Sequence, residues 1–178
     1  MLSARRFHHS RCVCETAVFL AEKYGADPQK AAIAGMLHDI MKDTPVDAQL
    51  KMIERFGIIL TSEEKRETKL LHAISGAAYA AEILEVSDPE ILHAIRWHTS
   101  GRKGMSKLEK LIFVADYISA DRVYPEVEQI RRFAGESLEL AMYEGIRHTV
   151  TEELMRQKRM VALEMIEAYN DILSVIRP

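Results

Sequence analysis

The stretch of this sequence best suited to chemistry is a histidine followed directly by an aspartate, His38-Asp39, at the end of an apolar run. Neighbouring residues on a helix point about 100° apart, so both side chains can bind one ion only at a helix end or on a loosened last turn. Further ligand-type residues lie elsewhere in the chain: His9, His72, His98 and Asp116. This order of imidazole and carboxylate groups predicts a metal site built from several segments.

The donor atoms of this set limit the choice of metal. Imidazole nitrogens and carboxylate oxygens without thiolate sulfur favour iron, manganese, cobalt, nickel or zinc over copper(I) or calcium. If the protein ligands are His9, His38, Asp39 and Asp116, a five- or six-coordinate ion keeps positions open for water and substrate. A bound cation lowers the pKa of water and neutralises phosphoryl oxygens. We therefore expect hydrolysis of a phosphate compound.

Two roles are open for His72 and His98. They could hold a second metal about 3.5 to 4 Å from the first, as in two-metal phosphoesterases, or they could donate hydrogen bonds to a substrate phosphate. The sequence does not decide between these roles. Three other histidines stand outside the pattern and are assigned no role: His8, His93 and His148.

Helices must position these groups, because every strong boundary signal in the chain is a helix cap. Two Asp-Pro pairs and two capping-box spacings mark helix starts: Asp27-Pro28, Asp88-Pro89, Thr61 with Glu64, and Ser106 with Glu109. Strand alternation, repeats and long linkers are absent from the sequence. The pattern predicts one all-α domain over residues 1–178, a helical bundle.

Three details of this bundle can be predicted. Apolar spacing gives a first helix from Arg5 to Tyr24, with Gly25 as its left-handed cap. The helix that begins at Pro28 is apolar almost all round, so we expect it to be the central buried helix with His38-Asp39 at its end. Helical spacing also runs from Ser137 to nearly Ile176, and a break near Thr149 to Thr151 is left open.

Composition excludes several classes of protein. A chain of 178 residues with 48% hydrophobic and 29% charged residues is ordinary for a globular domain. The net charge of −3 argues against a general binder of nucleic-acid polymers. No apolar run approaches a membrane span of ~18 residues, and no signal pattern opens the chain. Cys12 and Cys14 cannot pair on one helix. We expect a cytoplasmic location.

Several motifs together resemble the YqeK-type HD-domain family. They are Arg6-Phe7-His8-His9-Ser10, Gly35 to Asp43, Leu71-His72-Ala73, Ala94 to Thr99, Ala115 to Arg122 and Glu167 to Asn170. The resemblance implies an HD-domain helical bundle that cleaves diadenosine tetraphosphate symmetrically to two ADP, with iron the usual metal. The chain begins close to Arg6, so we expect a short first helix and a loosely held arginine.

The resemblance also implies roles for single residues. His9, His38, Asp39 and Asp116 would be the metal ligands; Arg6, Lys42, His72, His98, Thr99 and Arg122 would surround the nucleotide. Asp39, His72 and His98 are the candidate catalytic groups, and water activated by the metal would attack an inner phosphorus. The cations Arg6, Lys42 and Arg122 would offset the charge of a polyphosphate that a protein of net charge −3 otherwise repels.

Two other functions remain open from the sequence. The chain could be an HD-type phosphohydrolase that acts on mononucleotides or another phosphoester, or a nucleotide-binding module that keeps metal without turnover. No residue is an evident reader of adenine: Tyr117, Tyr124 and Tyr169 are available, but core packing is the expected role of each. The number of metals, one or two, the base preference and the oligomeric state are not determined.

Overall fold

The structure, a computed structural model, describes residues 2–177, apart from the side chain of residue 153. Over that range the chain forms helices and connecting loops without a strand, so the all-α prediction is confirmed. The helices are α1 (Ala4–Tyr24), α2 (Pro28–Leu37), α3 (Val46–Arg55), α4 (Ser62–Arg66), α5 (Leu71–Glu82), α6 (Pro89–Trp97), α7 (Lys107–Ile118), α8 (Val127–Glu136), α9 (Leu138–His148) and α10 (Leu163–Ile176).

The predicted caps begin and end these helices. The side chains of Asp27 and Asp88 accept hydrogen bonds from the first-turn amides of α2 and α6. Both predicted capping boxes are formed, at the start of α4 and of α7. Gly25 ends α1 with a φ of 67°, a left-handed conformation that glycine adopts without steric cost. Local sequence signals therefore fix the end of α1 and the starts of α2, α4, α6 and α7.

The core is centred on α7. Its residues Leu111, Ile112 and Phe113 are fully buried, and the helix packs against α1, α2, α6, α8 and α9. α5 is the other deeply buried helix, and it lies against α3 and α6. Because α7 carries Asp116 and α5 begins with Leu71-His72, the same packing that makes the core brings candidate ligands together.

The expectation that α2 is the central buried helix is wrong. Only Ala31, Ala34 and Gly35 of this helix are buried, and 42% of the Ile33 surface is exposed. The buried face consists of small residues because α2 lies very close to α1. A Cβ atom on Gly35 would stand 2.9 Å from the Cα atom of Cys14. Small residues here mark close helix contact rather than burial on every side.

The long C-terminal helical pattern is interrupted. α9 ends at His148, residues Thr149–Met155 form a π-helical segment, and α10 begins only at Leu163. Between them Lys158 has a φ of 55°, and its neighbour Arg159 donates its backbone N–H to the carbonyl of Leu154. The π-helical segment is therefore followed by a left-handed turn at Lys158.

Two other predictions concern the whole chain. Both cysteines are free, as their spacing predicted. Among residues 2–177, no helix is long and apolar enough to cross a membrane.

The α1–α2 contact gives a test of the fold. We expect Gly35→Ala to lower the free energy of unfolding by about 1–3 kcal/mol, because the new methyl group meets the backbone at Cys14 and the two helices must separate. Urea denaturation at fixed metal content measures the change.

Gly135→Ala is the matched control. A Cβ atom at Gly135 meets only the ammonium end of Lys23, at an ordinary contact distance of 3.9 Å, so stability should stay the same or rise by up to about 1 kcal/mol. Equal effects of the two substitutions would contradict the close contact between α1 and α2.

Candidate metal centre

Helix termini converge on one buried cluster of imidazole and carboxylate groups. His9 comes from α1, His38 and Asp39 follow α2, His72 lies in the first turn of α5, and His98 follows α6. The four imidazole rings form a chain with centroid separations of 5.3 Å from His9 to His38, 4.9 Å from His38 to His98 and 5.0 Å from His98 to His72. Helix packing thus brings together residues that lie far apart in the sequence.

Three of the histidines are oriented by the same local bond. The Nδ1 atoms of His38, His72 and His98 each lie 2.7 Å from the backbone carbonyl oxygen three residues earlier. Near helix ends such carbonyls are open to side chains. A neutral imidazole has one N–H group, which this bond places on Nδ1. The Nε2 atom of each ring therefore presents a lone pair to the common centre.

His9 is held between two carboxylates. Its Nδ1 lies 2.8 Å from Asp121 Oδ2, and its Nε2 lies 2.9 Å from Asp116 Oδ1. The other Asp121 oxygen accepts a hydrogen bond of 2.7 Å from the Ser119 hydroxyl. Burial alone would lower the pKa of His9, but the bond to Asp116 and its negative charge raise it above the ordinary value. Asp121 thus fixes the His9 ring and leaves Nε2 beside Asp116.

Asp39 stands between the two ends of the imidazole chain. Its Oδ2 atom lies 3.6 Å from His38 Nε2 and 3.9 Å from His9 Nε2. Its Oδ1 atom faces the other end, 3.1 Å from His72 Nε2 and 3.5 Å from His98 Nε2. One buried carboxylate therefore faces all four imidazoles.

The polar atoms of this cluster fit a bound cation. Among the residues that the structure describes, His38 Nε2 and Asp39 Oδ1 are buried without a hydrogen-bond partner, and a buried unpaired acceptor is costly. Two overlapping groups, His9–His38–Asp116 and His38–Asp39–His98, have ligand atoms within 4.8 Å of one another. Nitrogen and oxygen donors of this kind suit a transition-metal ion.

The electrostatics keep two of the histidines and both aspartates of the cluster in the forms that metals bind. Burial lowers the pKa of His38 and of His72 to about 4, so both rings are neutral near pH 7. Burial would raise the pKa of Asp39, but the neighbouring histidines and Lys42 hold it well below its usual value. Burial would also raise the pKa of Asp116, but the charge of Arg122 holds this pKa well below its usual value. Neutral imidazoles and ionised carboxylates are ready ligands.

Cations border the cluster on the side of an open cleft. Lys42 Nζ lies 3.1 Å from His72 Nε2, and Arg122 forms an ion pair with Asp116. The Thr99 hydroxyl is 3.0 Å from His98 Nε2. The cleft has a volume of about 370 Å³, and its walls include Lys42, Lys69, His98, Thr99, Asp116, Arg122, Tyr124 and His148. A small molecule that enters the cleft therefore meets positive charge at the mouth of the candidate metal centre.

The structure brings all the sequence-predicted site residues to this one place. The expectation of a short first helix with a loose Arg6 is wrong. α1 has 21 residues, and Arg6 lies 2.6 Å from Asp39 Oδ2. Ser3 caps the helix, and its backbone N–H donates to Asp43, so the start of α1 is tied to the segment after α2.

Three residues of the site were missed from the sequence. Asp121 holds His9, Lys69 lines the cleft, and His148 stacks on Tyr124 with ring centroids 4.9 Å apart. A second carboxylate five residues after Asp116 was the available signal for Asp121. Lys69 and His148 had no signal, because they reach the cleft only through packing of α5 and α9 against their neighbours.

Comparison with known proteins agrees with the fold and the cluster. The HD domain family matches residues 6–121. Two proteins named symmetrical bis(5'-nucleosyl)-tetraphosphatase are similar over 97% of this chain: one from Halalkalibacterium halodurans, 37% identical over 91% of its length, and one from Bacillus subtilis, 38% identical over 92% of its length.

A solved structure is also similar. It comes from Clostridium acetobutylicum and is described as a predicted HD superfamily hydrolase involved in NAD metabolism. It has a TM-score of 0.94 and 35% identity, and the match covers 98% of this chain and 92% of that one.

The helical bundle and its histidine–aspartate cluster are those of an HD-type hydrolase. The chain belongs to the HD-domain family, among the YqeK-type members whose curated relatives are named above. The resemblance inferred from sequence motifs is therefore confirmed, and with it the expectation of an enzyme.

The His9–Asp121 contact generates a test of the centre. We expect Asp121→Ala to weaken metal binding by roughly 10- to 100-fold, because carboxylates that orient a ligating imidazole have effects of this size. Competition with a chelator measures the affinity. The control is Glu136→Ala, the loss of an exposed carboxylate on α8. Unchanged affinity in Asp121→Ala would mean that His9 needs no such support.

Proposed function

We propose that this chain hydrolyses diadenosine tetraphosphate symmetrically to two ADP. The names of the relatives from Halalkalibacterium halodurans and Bacillus subtilis support this substrate, since the matches extend over nearly the whole chain. We propose that residues 1–178 form one domain and that its substrate is a small molecule. We also propose a cytoplasmic location, where such nucleotides occur.

One observation carries the proposal: the buried cluster opens on a cleft that is rimmed by cations. Lys42 and Arg122 both line the cleft, and each contacts a residue of the cluster, His72 and Asp116 respectively. A polyphosphate carries several negative charges, and these side chains are placed to offset them where the charge of the reaction develops. A neutral substrate would gain nothing from this arrangement.

The proposed ligands are His9, His38, Asp39 and Asp116, and iron is the proposed metal. When bound, such an ion lowers the pKa of water and neutralises phosphoryl oxygens. We propose that His72 and His98 donate to the substrate phosphate through Nε2 once that nitrogen carries a proton, a form that the charge of a bound polyphosphate favours, beside the Thr99 hydroxyl. Arg6 contacts Asp39 and so holds the orientation of that carboxylate. Asp39, with one oxygen toward each end of the cluster, is placed to orient the attacking water.

The position of Lys42 supports one metal rather than two. Its ammonium group lies 3.1 Å from His72 Nε2 and 3.7 Å from Asp39 Oδ1, and both of these atoms are acceptors. A second metal at this end of the cluster would face that positive charge at short range. We propose that the Lys42 ammonium group takes the place of a second metal ion, and that His72 and His98 contact phosphate.

Product analysis tests the function. The purified, metal-loaded protein should convert diadenosine tetraphosphate to ADP alone, as chromatography of the reaction will show. Asp39→Ala should lose both the metal and the activity, because the carboxylate that faces all four imidazoles is gone. AMP with ATP as products would exclude symmetrical cleavage. Turnover of mononucleotides only would support the alternative phosphohydrolase.

Metal content separates the two roles of the paired histidines. We expect His72→Ala and His98→Ala to retain the metal content of the wild type while turnover falls by roughly tenfold or more, as loss of a hydrogen bond to a charged group implies. Metal analysis and kcat are measured on the same samples. Loss of one metal equivalent per chain in both variants would instead assign these histidines to a second ion.

A further inference from the structure

A second cavity adjoins the catalytic cleft. It has a volume of about 120 Å³ and shares four lining residues with the cleft: Lys42, Lys69, Thr99 and Thr149. Beyond this shared rim the two spaces extend toward different parts of the chain. The cleft continues to Asp116 and Arg122, whereas the cavity continues to Glu67 and Arg159.

The walls of the second cavity combine apolar surface with one polar end. Leu70, Leu154 and Met165 are buried, and they form its apolar part together with Met160. At the polar end Arg159 donates two hydrogen bonds to Glu67, of 3.1 Å and 2.6 Å. Two lysines, Lys42 and Lys69, stand on the side that faces the cleft. Apolar walls with a few fixed polar groups are typical of small-molecule sites.

The irregular segment after α9 creates this cavity. The π-helical segment contributes Thr149 and Leu154, and after the left-handed turn at Lys158 the residues Arg159 and Met160 share the cavity wall with residues that precede α5. A positive φ at a lysine is uncommon and is kept only where surrounding contacts fix it. The Arg159–Glu67 ion pair and the backbone bond from Arg159 to Leu154 supply such contacts.

We propose that the second cavity binds the base of the second nucleoside of the substrate, an inference that rests on the proposed function. A dinucleoside tetraphosphate has two equal halves, and symmetrical cleavage requires the central part of the phosphate chain to lie at the metal centre. One half lies in the cleft toward Asp116 and Arg122. The other half leaves the centre past the shared rim, where Lys42 and Lys69 accompany its phosphates into the second cavity.

The chemistry of the cavity suits a purine. Leucine side chains offer apolar contact to the faces of the ring, and methionine adds a flexible, polarisable thioether that packs well against aromatic rings. The Glu67 carboxylate can accept from N–H groups at the edge of the base, and Arg159 can donate to its ring nitrogens or carbonyl. The volume of about 120 Å³ is below that typical of a site for a whole drug-sized ligand. We therefore assign the base alone to this cavity and the phosphates to the rim.

Two methionines on the same irregular segment provide a matched test. Met160 lines the cavity and 39% of its surface is exposed, whereas Met155 is outside the cavity and is 64% exposed. We expect Met160→Asp to raise the KM for diadenosine tetraphosphate by about tenfold with little change in kcat, because a carboxylate replaces apolar contact with the base. Met155→Asp should behave as the wild type, and Met160→Leu should keep wild-type KM.

A substrate with one nucleoside identifies which contact is lost. Adenosine 5'-tetraphosphate, which yields ADP and pyrophosphate on hydrolysis between its second and third phosphates, should have the same kcat/KM with Met160→Asp as with the wild type. Equal losses on both substrates would overturn the proposal, because the cavity would then support the cleft in general. Wild-type kinetics of Met160→Asp on both substrates would overturn it as well.

The binding of ADP provides a readout that does not depend on turnover. Calorimetric titration of the metal-loaded protein with ADP should give two equivalents per chain for the wild type and for Met155→Asp, and one for Met160→Asp. If the wild type bound two equivalents but formed no ADP from diadenosine tetraphosphate, the proposed function would fail while the second base site remained. A single equivalent bound by the wild type would reject the second site.

Discussion

The buried carboxylate of Asp39 is the constraint on which the rest of the site depends. Only 2% of its surface is exposed, and an unpaired charge at that depth would be very costly. Arg6 approaches one oxygen at 2.6 Å, and Lys42 approaches the other at 3.7 Å. These contacts tie α1 and the segment after α2 to one point, and the imidazoles of α5 and α6 close the remaining sides. The nearby positive charges keep the Asp39 carboxylate ionised and therefore available to a metal.

Local sequence signals predicted the fold more fully than the site. Caps depend on a side chain and an amide two or three residues apart, so Asp27, Asp88, Thr61 and Ser106 could be read directly. The burial of α2 was misjudged because apolar composition cannot tell a helix covered on all sides from one with a single close contact. The contact of Gly35 with α1 distinguishes these cases, and it is a property of tertiary packing. Asp121 was missed for a related reason, since its partner His9 lies 112 residues away.

Net charge is a poor guide to the chemistry of this cleft. The chain as a whole carries −3, yet Lys42, Lys69 and Arg122 share the walls of one cleft with a single lining carboxylate, Asp116. Over distances of about 10 Å, screening removes most of the influence of remote surface charges at ordinary ionic strength. The groups in contact with a ligand then decide whether an anion binds. An acidic protein can therefore offer a cationic site, provided that packing gathers a few basic side chains at one place.

The proposed metal ligands and part of the wall of the second cavity come from different segments of the chain. The HD-domain match ends at residue 121 and includes all four proposed metal ligands. The second cavity takes Leu154, Arg159, Met160 and Met165 from beyond that match. Hydrolytic chemistry and the part of base recognition that lies beyond residue 121 would thus be separable. Changes in the segment between α9 and α10 could alter which phosphate compound is accepted while the imidazole–carboxylate cluster stays as it is. The π-helical segment fits this division, because irregular turns inside helices are frequent at functional sites.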